Sequence, residues 1–448
     1  MGLHSVANED SQGLLRRYRR IISEGSWVVA GQGMSGILTL AGTRLITQTI
    51  SPELYGAVNL AQNALVLLRT LFCFPMLSAG LRYYPDAERG GYVLELRRML
   101  WRTLSRAVIA MEVLAILGGL IWSIRTGIHP SIVLVLAAFI ALDVIRTLEM
   151  SLFNAARLQR PAAIFSVIET LARPLLVVAG VLLIGKTVVV VLGAIAASIF
   201  VTLVLLYVSV NSGGASGEAA LPPEIAREMR RYAMPLIPMA LLLWINSVSD
   251  RYIIEWISHD MSSVGVYAAG YGLISQPFLL IHGVVALTLR PVYFAAVSRV
   301  DHHRAERTFH LWLAITASIC VTATISIFLA RDIIVEVLLG PKYHGAAVFV
   351  PWIALGYLFY VIEQVLEQKL LAYKRTSSVL AAQTCGGVAS ITVTIPLVMH
   401  FGAIGAAYAC PLYFLIQTLV VAILVYGRAS NEYPASYTRL PPDDDKAP

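Results

Sequence analysis

Long apolar runs dominate this chain and restrict the folds that are open to it. About twelve of them reach the ~20 residues that an α-helix needs to cross roughly 30 Å of hydrocarbon. The predicted spans are 22–47, 56–80, 103–124, 130–155, 162–184, 187–209, 233–257, 264–288, 310–330, 346–371, 377–399 and 403–427. Because the runs lack the alternation of barrel strands, they predict helices. The chain is therefore predicted to be an all-α polytopic membrane protein.

The composition agrees with a lipid environment and argues against several chemistries. Only 14% of the residues are charged, against roughly a quarter in soluble domains. The formal charge of +7 fits loop topology and anionic partners rather than nucleic acid. The four cysteines lie within apolar spans, which disfavours disulfides and a metal site. Because Walker A, HExxH, GxSxG and CxxC patterns are missing, we expect a transporter without a cofactor rather than an enzyme.

Basic residues are distributed unevenly between the two sets of loops. One set holds Arg16, Arg17, Arg19, Arg20, Arg89, Arg97, Arg98, Arg102, Arg157, Arg160, Arg227, Arg230, Arg231, Arg299, Arg304, Arg307, Lys374, Arg375 and Arg428. The opposite set holds only Arg125, Lys186, Arg331 and Lys342. Because cytoplasmic loops carry the excess of basic residues, we expect the first set and both termini in the cytoplasm.

A polar stretch near the midpoint separates six spans from six. It contains SGGASGEAALPPE, a composition typical of a flexible linker. The predicted organisation is a cytoplasmic N-terminal segment at 1–20, a six-helix bundle at 21–210, a cytoplasmic linker at 211–231, a second six-helix bundle at 232–427 and a disordered cytoplasmic tail at 428–448.

The two halves carry a weak internal repeat. Equivalent positions at nearly equal spacing are Arg44 and Arg251, Ser51 and Ser258, Glu53 and Asp260, Gly56 and Gly265, and Arg82 and Arg290. An even number of spans gives both halves the same orientation, which makes a parallel repeat about an axis along the membrane normal. We therefore expect two bundles around a central cavity that opens to either side by rocking.

The repeated segments resemble a known family. The stretches TRLITQTISPELYG, WINSVSDRYIIEWI, VGVYAAGY and LLGPKYHGAAVFVPWIALGYLF are similar to oligosaccharide flippases of the polysaccharide-transporter family, the Wzx-like branch of the MATE-like flippase superfamily. The resemblance extends over about 21–426. It implies two parallel six-helix bundles around a central cavity and movement of an undecaprenyl-diphosphate-linked oligosaccharide from the cytoplasmic to the periplasmic leaflet.

The resemblance also implies a cellular setting. The expected location is the bacterial cytoplasmic (inner) membrane, and the pathway is synthesis of O-antigen, capsule or exopolysaccharide. Expected partners are the lipid-linked oligosaccharide, membrane lipid, a polysaccharide polymerase and a chain-length regulator.

Arginines inside the spans are the first candidates for contact with such a substrate. A charge at the bilayer centre costs about 2.5–3.5 kcal/mol, so it needs a partner or a function. The candidates are Arg69, Arg146, Arg173 and Arg251 at depth, with Arg44 and Arg290 nearer to span ends. The planar fork of arginine suits a diphosphate. The alternatives are structural ion pairs, as between Glu169 and Arg173, and snorkelling near span ends.

Acidic and polar residues inside the spans suggest two further roles. Possible coupling groups are Glu112, Asp143, Asp250 and Glu363, whose alternative role is pairing between helices. Possible sugar contacts are Asn59, Gln62, Asn63, Tyr252, Tyr267 and Tyr271, where tyrosines near span ends are alternatively interface anchors.

Three other functions stay open. A MATE-type ion-coupled exporter of small molecules would have buried acids without the surplus of buried arginines. A membrane glycosyltransferase or ligase of polysaccharide assembly would need a long periplasmic loop with paired catalytic residues. A non-transporting scaffold would have no cavity between the halves.

Overall fold

The computed structural model describes residues 30–127, 129, 131–156, 158–210 and 221–427. The predicted N-terminal segment 1–20 and tail 428–448 lie outside these ranges, as does the first half of the predicted linker. The described helices are α1 (30–49), α2 (Pro52–Phe72), α3 (Phe74–Gly90), α4 (Val93–Thr126), α5 (Ile132–Ala155), α6 (Gln159–Leu183), α7 (Val188–Val210), α8 (Pro223–Ala233), α9 (Leu236–Ser258), α10 (Met261–Ser298), α11 (His302–Leu338), α12 (Val350–Ala372), α13 (Thr376–Phe401) and α14 (Ala403–Tyr426), with a 3₁₀ segment at Pro341–Val348.

The described helices confirm a multi-pass membrane protein. Nine of them are long and apolar enough to cross a bilayer, and the bent pair of α2 and α3 brings the number to ten. The predicted first and fourth spans correspond to α1 and α5, which are not among these ten. The expected twelve spans are reached only if α1 and α5 also cross the membrane. In α5 the polarity comes from Asp143, Arg146 and Glu149. Large apolar side chains such as Leu183 and Leu329 are 85% and 84% exposed, as lipid-facing residues are.

The predicted second span is broken at Cys73. Helices α2 and α3 meet there at an angle of 50°. Pro75 stands at the start of α3, where a missing backbone N–H is tolerated and the preceding helix cannot continue. The break sets the last turn of α2, which contains Arg69, at a bend inside the membrane-crossing segment.

The second half of the predicted linker contains a helix. Residues from Pro223 onward form α8, an amphipathic helix with Glu224 in its first turn and arginines in its last. Met229 and Ala233 are buried while the charged face stays exposed, and α8 packs on α3. The sequence is helical here because its apolar residues recur every three to four positions, a pattern that the neighbouring Gly/Ser/Pro-rich stretch conceals.

The chain contains two compact units whose limits differ from the predicted sequence halves. The first unit comprises 1–244 together with Met261–Ala269 and Glu336–His344. The second comprises Ile245–Asp260, Gly270–Val335 and 345–448. The division into bundles at 21–210 and 232–427 stays a prediction.

Two segments from the second half of the sequence therefore belong to the first unit. Near the start of α2, a Cβ atom on Gly56 would lie 2.4 Å from the Met261 carbonyl oxygen. A Cβ atom on Gly265 would lie 1.9 Å from the Pro52 carbonyl oxygen. Only glycine permits backbones to approach this closely. Positions that the internal repeat made equivalent thus meet in the structure.

Each unit has its own core. In the first unit, Leu96, Leu100 and Leu104 lie on one face of α4 and pack into a buried cluster with residues of α3, α5 and α7. In the second unit, α12, α13 and α14 pack closely, and a cluster of aromatic rings surrounds Tyr357 and Phe414, whose ring centroids are 5.9 Å apart.

Candidate functional site

Five charged side chains form a continuous ion network inside the first unit. Asp143 forms an ion pair with Arg69, whose Nε lies 3.1 Å from its carboxylate, and accepts a hydrogen bond from Arg146 Nη2 at 2.6 Å. Arg146 Nη1 lies 3.4 Å from Glu169, and Glu169 accepts from Arg173 Nη2 at 2.8 Å. We call these residues the ion network; it joins α2, α5 and α6.

Helix geometry explains why these side chains meet. Asp143 and Arg146 are three residues apart on α5, and Glu169 and Arg173 are four apart on α6, so each pair shares a helix face. Arg69 lies in the last turn of α2, where a positive charge also complements the helix dipole. Its Nη1 donates to the Thr147 hydroxyl at 3.1 Å.

The ion network carries a surplus of positive charge. Three arginines share two carboxylates, so one formal positive charge is not balanced within the network. The carboxylates are the more buried partners, with side-chain exposures of 10% for Asp143 and 7% for Glu169. The arginine side chains are 25–41% exposed, so they are more accessible than the carboxylates.

No acid lies within one turn of Arg69 on α2, so its partner comes from another helix. Asp143 reaches Arg69 from α5. The remaining acid of α5, Glu149, instead pairs with Arg97 of α4 at 2.7 Å. The structural ion pairs that the sequence left open therefore form, alongside the positive surplus.

A polar cavity of about 230 Å³ adjoins the ion network. Arg146 and Glu169 line it, together with carboxamide and hydroxyl side chains from α1, α5 and α6. The first unit therefore combines an excess of arginine with a space that a small polar group could occupy.

The other predicted arginines lie elsewhere. In the first unit, Arg44 donates to the backbone carbonyl oxygens of Glu336 and Leu339 at the end of α11, which caps that helix. Arg290 is exposed on α10. Arg251 is buried in the second unit and is described next.

Arg251 is held on three sides. Its Nη1 donates to the Ser247 carbonyl at 2.8 Å and lies 3.3 Å from Asp250. Its guanidinium carbon stands 4.2 Å from the centroid of the Tyr271 ring, a cation–π contact. A tyrosine, Tyr357, packs edge-on against Tyr271 at 5.4 Å. Such contacts are typical of a structural arginine.

A second group of buried polar residues forms an amide network in the second unit. Gln417 Oε1 accepts from Asn246 at 2.6 Å, while Gln417 Nε2 donates to Glu363 at 3.3 Å and to Gln383 at 3.2 Å. Gln383 in turn donates to Glu367 at 3.4 Å. These five residues are all buried.

The amide network holds two carboxylates one turn apart on α12. Among the described residues, no lysine or arginine lies within ion-pair distance of Glu363 or Glu367. The predicted coupling groups Asp143 and Asp250 are instead paired with arginines. Glu112 is half-buried on α4. Glu367, Gln383 and Gln417 were not predicted as site candidates from the sequence. Each could have been found as a polar residue inside an otherwise apolar span.

The predicted sugar contacts divide into two groups. Asn63 donates to Asn59 at 2.9 Å on α2, and the Asn63 carbonyl accepts from Trp244 at 2.8 Å. Tyr267 and Tyr271 are 0% and 4% exposed, the burial of core residues. Gln62 and Tyr252 are half-buried. A sugar-binding role for these residues stays a prediction.

The described part of the chain contains no group of three or more histidine, cysteine, aspartate or glutamate residues that could hold a metal ion. Three of the cysteines, Cys73, Cys320 and Cys410, are buried, and Cys385 is exposed.

Solved structures share this fold. The lipid II flippase MurJ in an inward closed conformation superposes with a TM-score of 0.69 at 17% identity, over 92% of this chain and 88% of that one. An inward-facing multidrug resistance MATE family transporter of the MOP superfamily gives 0.66 at 13% identity, over 89% and 97%. A mutant of the Vibrio cholerae MATE transporter VcmN gives 0.67 at 10% identity, over 93% and 98%.

These likenesses establish the fold of MOP superfamily transporters. No curated protein matches the chain. The family described as "Polysaccharide biosynthesis protein" matches residues 21–295, well over half of the 448 residues. The chain therefore belongs to the polysaccharide biosynthesis protein family of membrane proteins.

Proposed function

We propose that this protein is a flippase for an undecaprenyl-diphosphate-linked oligosaccharide in surface polysaccharide synthesis. The observation that carries the proposal is the ion network, in which three arginines share two carboxylates inside membrane-crossing helices. Guanidinium groups bind phosphate oxygens in pairs and stay charged when desolvated. Family membership and the likeness to a lipid II flippase support a lipid-linked cargo.

The test measures binding and movement of a fluorescent undecaprenyl-diphosphate sugar in proteoliposomes. Arg69→Lys and Arg146→Lys keep the charge that balances Asp143 but lose the planar fork. We expect each to weaken lipid binding by about tenfold or more, since a hydrogen bond to a charged group is worth about 1.5–3 kcal/mol. Arg106→Lys, at an exposed site on α4, is the matched control. Unchanged binding by both network variants, with the wild type also binding, would remove the arginines from the substrate site.

The proposed direction is from the cytoplasmic to the periplasmic leaflet of the bacterial inner membrane, with both termini in the cytoplasm. The direction is the one that the family resemblance implies, and the orientation of the termini is inferred from the uneven distribution of arginine and lysine between loops. A polymerase and a chain-length regulator are proposed as the proteins that act on the cargo next.

A coupling role for Glu363 is the second part of the proposal. This carboxylate is 1% exposed and is held by amides, next to Glu367. Burying an unpaired carboxylate is unfavourable, so uptake of a proton or a cation would neutralise it. Flux should therefore depend on an imposed proton or sodium gradient, and Glu363→Gln should abolish that dependence while lipid binding persists. Equal flux with and without either gradient would show that the coupling role is wrong.

A MATE-type exporter is the competing function. The likeness to MATE transporters and the carboxylates of the amide network favour it. A cationic dye accumulated by energised vesicles, and blocked by Glu363→Gln but unaffected by lipid-linked sugar, would support the exporter over the flippase.

A further inference from the structure

The polar cavity beside the ion network lies between three helices of the first unit. It is lined by residues of α1, of the second half of α5 and of the first half of α6. Its polar rim consists of Gln32, Asn154, Gln159 and Ser166, and the Arg146–Glu169 pair stands beside it. The backbones of α1 and α6 approach closely here: a Cβ atom on Gly31 would lie 2.6 Å from the Cβ of Ala163.

The rim groups are available to a ligand. Gln32 and Asn154 are exposed and Gln159 is half-buried, and none of their amides bonds to another described side chain. Among the described residues, the Ser166 hydroxyl bonds to the Ser35 hydroxyl, at 3.3 Å. Carboxamides and hydroxyls each both donate and accept hydrogen bonds. The rim therefore matches a ligand whose own groups both donate and accept hydrogen bonds.

The charged groups of the cavity are already engaged. Glu169 accepts from Arg173 at 2.8 Å, and Arg146 donates to Asp143 at 2.6 Å. The four rim groups carry no charge, so a neutral polyol can bond to them while the arginines remain available to the diphosphate. The chemistry of the cavity therefore favours a neutral ligand.

The size of the cavity limits the ligand to a small one. Its 230 Å³ falls below the roughly 300–1,000 Å³ of sites that enclose drug-sized molecules. The small side chains Ala162 and Ala163 leave the space open. One six-membered sugar ring fits this description better than a whole oligosaccharide.

We propose that the polar cavity is a recognition subsite for one neutral pyranose ring. The inference rests on the proposed function for the source of the sugar: Arg146 belongs both to the cavity and to the ion network, so a sugar in the cavity lies beside the arginines assigned to the diphosphate. A sugar attached to a lipid diphosphate has this arrangement. The inference that the ligand is a sugar depends only on the rim residues, not on the proposed function.

The first experiment detects sugar binding to the full-length protein in nanodiscs by saturation-transfer NMR. The probes are the methyl glycosides of glucose, galactose, N-acetylglucosamine and glucuronic acid. At least one neutral glycoside should show transfer, and the glucuronide should show less than the glucoside. Absence of transfer to every neutral glycoside overturns the proposal.

Variants then locate the binding. The double change Asn154→Leu with Gln159→Leu removes two rim amides and should reduce transfer about tenfold. Asn154→Asp with Gln159→Glu keeps the side-chain size but removes both amide donors and adds charge, so it should change transfer even if the first variant folds poorly. The control is Thr170→Val, whose hydroxyl donates to the Ser166 backbone carbonyl at 2.8 Å. Transfer that is equal in the wild type and in a folded rim variant overturns the proposal.

A final arm separates the sources of the sugar. Nanodiscs receive either undecaprenyl-diphosphate-linked N-acetylglucosamine or undecaprenyl diphosphate alone. Displacement of the glycoside by the sugar-bearing lipid only would support a lipid-linked source, and displacement by neither would support a free-sugar site. Glycoside binding in a protein that fails to bind either lipid would reject the proposed function while supporting the subsite.

Discussion

At the scale of single residues, Asp143 is the carboxylate that two arginines share. It forms an ion pair with Arg69 on another helix and accepts a hydrogen bond from Arg146 on its own helix. Both guanidinium groups point at one carboxylate whose side chain is 10% exposed. Loss of its charge would leave two like charges facing a neutral amide.

Asp143→Asn should therefore lower stability clearly. The expected loss is about 1–3 kcal/mol, the range for leaving buried groups without their partner. The measurement is thermal unfolding of the purified protein in detergent. Asp86→Asn is the matched control, because Asp86 pairs with Arg89 at 2.5 Å at a site where both side chains are well exposed and such pairs are worth about 0–1 kcal/mol.

A double variant distinguishes repulsion between the two arginines from other effects of replacing Asp143 by asparagine. Adding Arg69→Gln to Asp143→Asn removes one of the two facing positive charges, so part of the lost stability should return. Equal melting temperatures for Asp143→Asn and Asp86→Asn would contradict the shared-acceptor account.

At the scale of helices, the contact between α2 and α10 depends on glycine. Gly56 and Gly265 bring backbone against backbone, so no flexible side chain can move aside. Farther along α10, Gly272 has open space where a Cβ atom would be placed. The two glycines of one helix therefore give a direct comparison.

Gly265→Ala should destabilise the protein, whereas Gly272→Ala should be neutral or slightly stabilising. The first change drives a methyl group into the Pro52 carbonyl, and the second replaces glycine in a helix by alanine, a gain of about 1 kcal/mol. Melting temperatures of the two variants in the same detergent test this. If Gly265→Ala melts no lower than Gly272→Ala, the close contact is not required for stability.

Helices also show where local sequence signals are overridden. The apolar run of the second span predicted one helix, but the chain breaks at Cys73 and bends by 50°. A proline can begin a helix as readily as kink one, and packing decides between them. Conversely, most of α8 lies in a segment that was predicted to be a linker because the residues before it are rich in glycine.

At the scale of the whole molecule, the orientation in the membrane can be tested with two lysines. Lys186 lies between α6 and α7, and Lys374 lies between α12 and α13; both are exposed. The uneven distribution of basic residues predicts that they face opposite sides. Because Cys385 is the exposed cysteine among the four native ones, Cys385→Ser gives a suitable background.

A membrane-impermeant maleimide should label Lys186→Cys in intact cells and label Lys374→Cys only after permeabilisation. The Cys385→Ser protein without an added cysteine is the control for background labelling. The reverse pattern would invert the proposed topology and place the linker outside the cytoplasm.

The sequence by itself determined the helical membrane class, most helix positions and the identity of the charged residues, because these depend on hydrophobicity and spacing along a single helix. It also offered the pairing of Glu169 with Arg173, which lie four residues apart, as one of two alternatives, and the structure shows that pair. Such local features need no knowledge of which helices are neighbours.

The tertiary structure alone decided which distant residues meet. Arg69 and Asp143 are far apart in the sequence, and the amide network joins α9, α12, α13 and α14. The polar cavity likewise exists only where α1, α5 and α6 come together. Helix packing sets these contacts through side-chain fit over whole surfaces, which the pattern of any one helix does not encode.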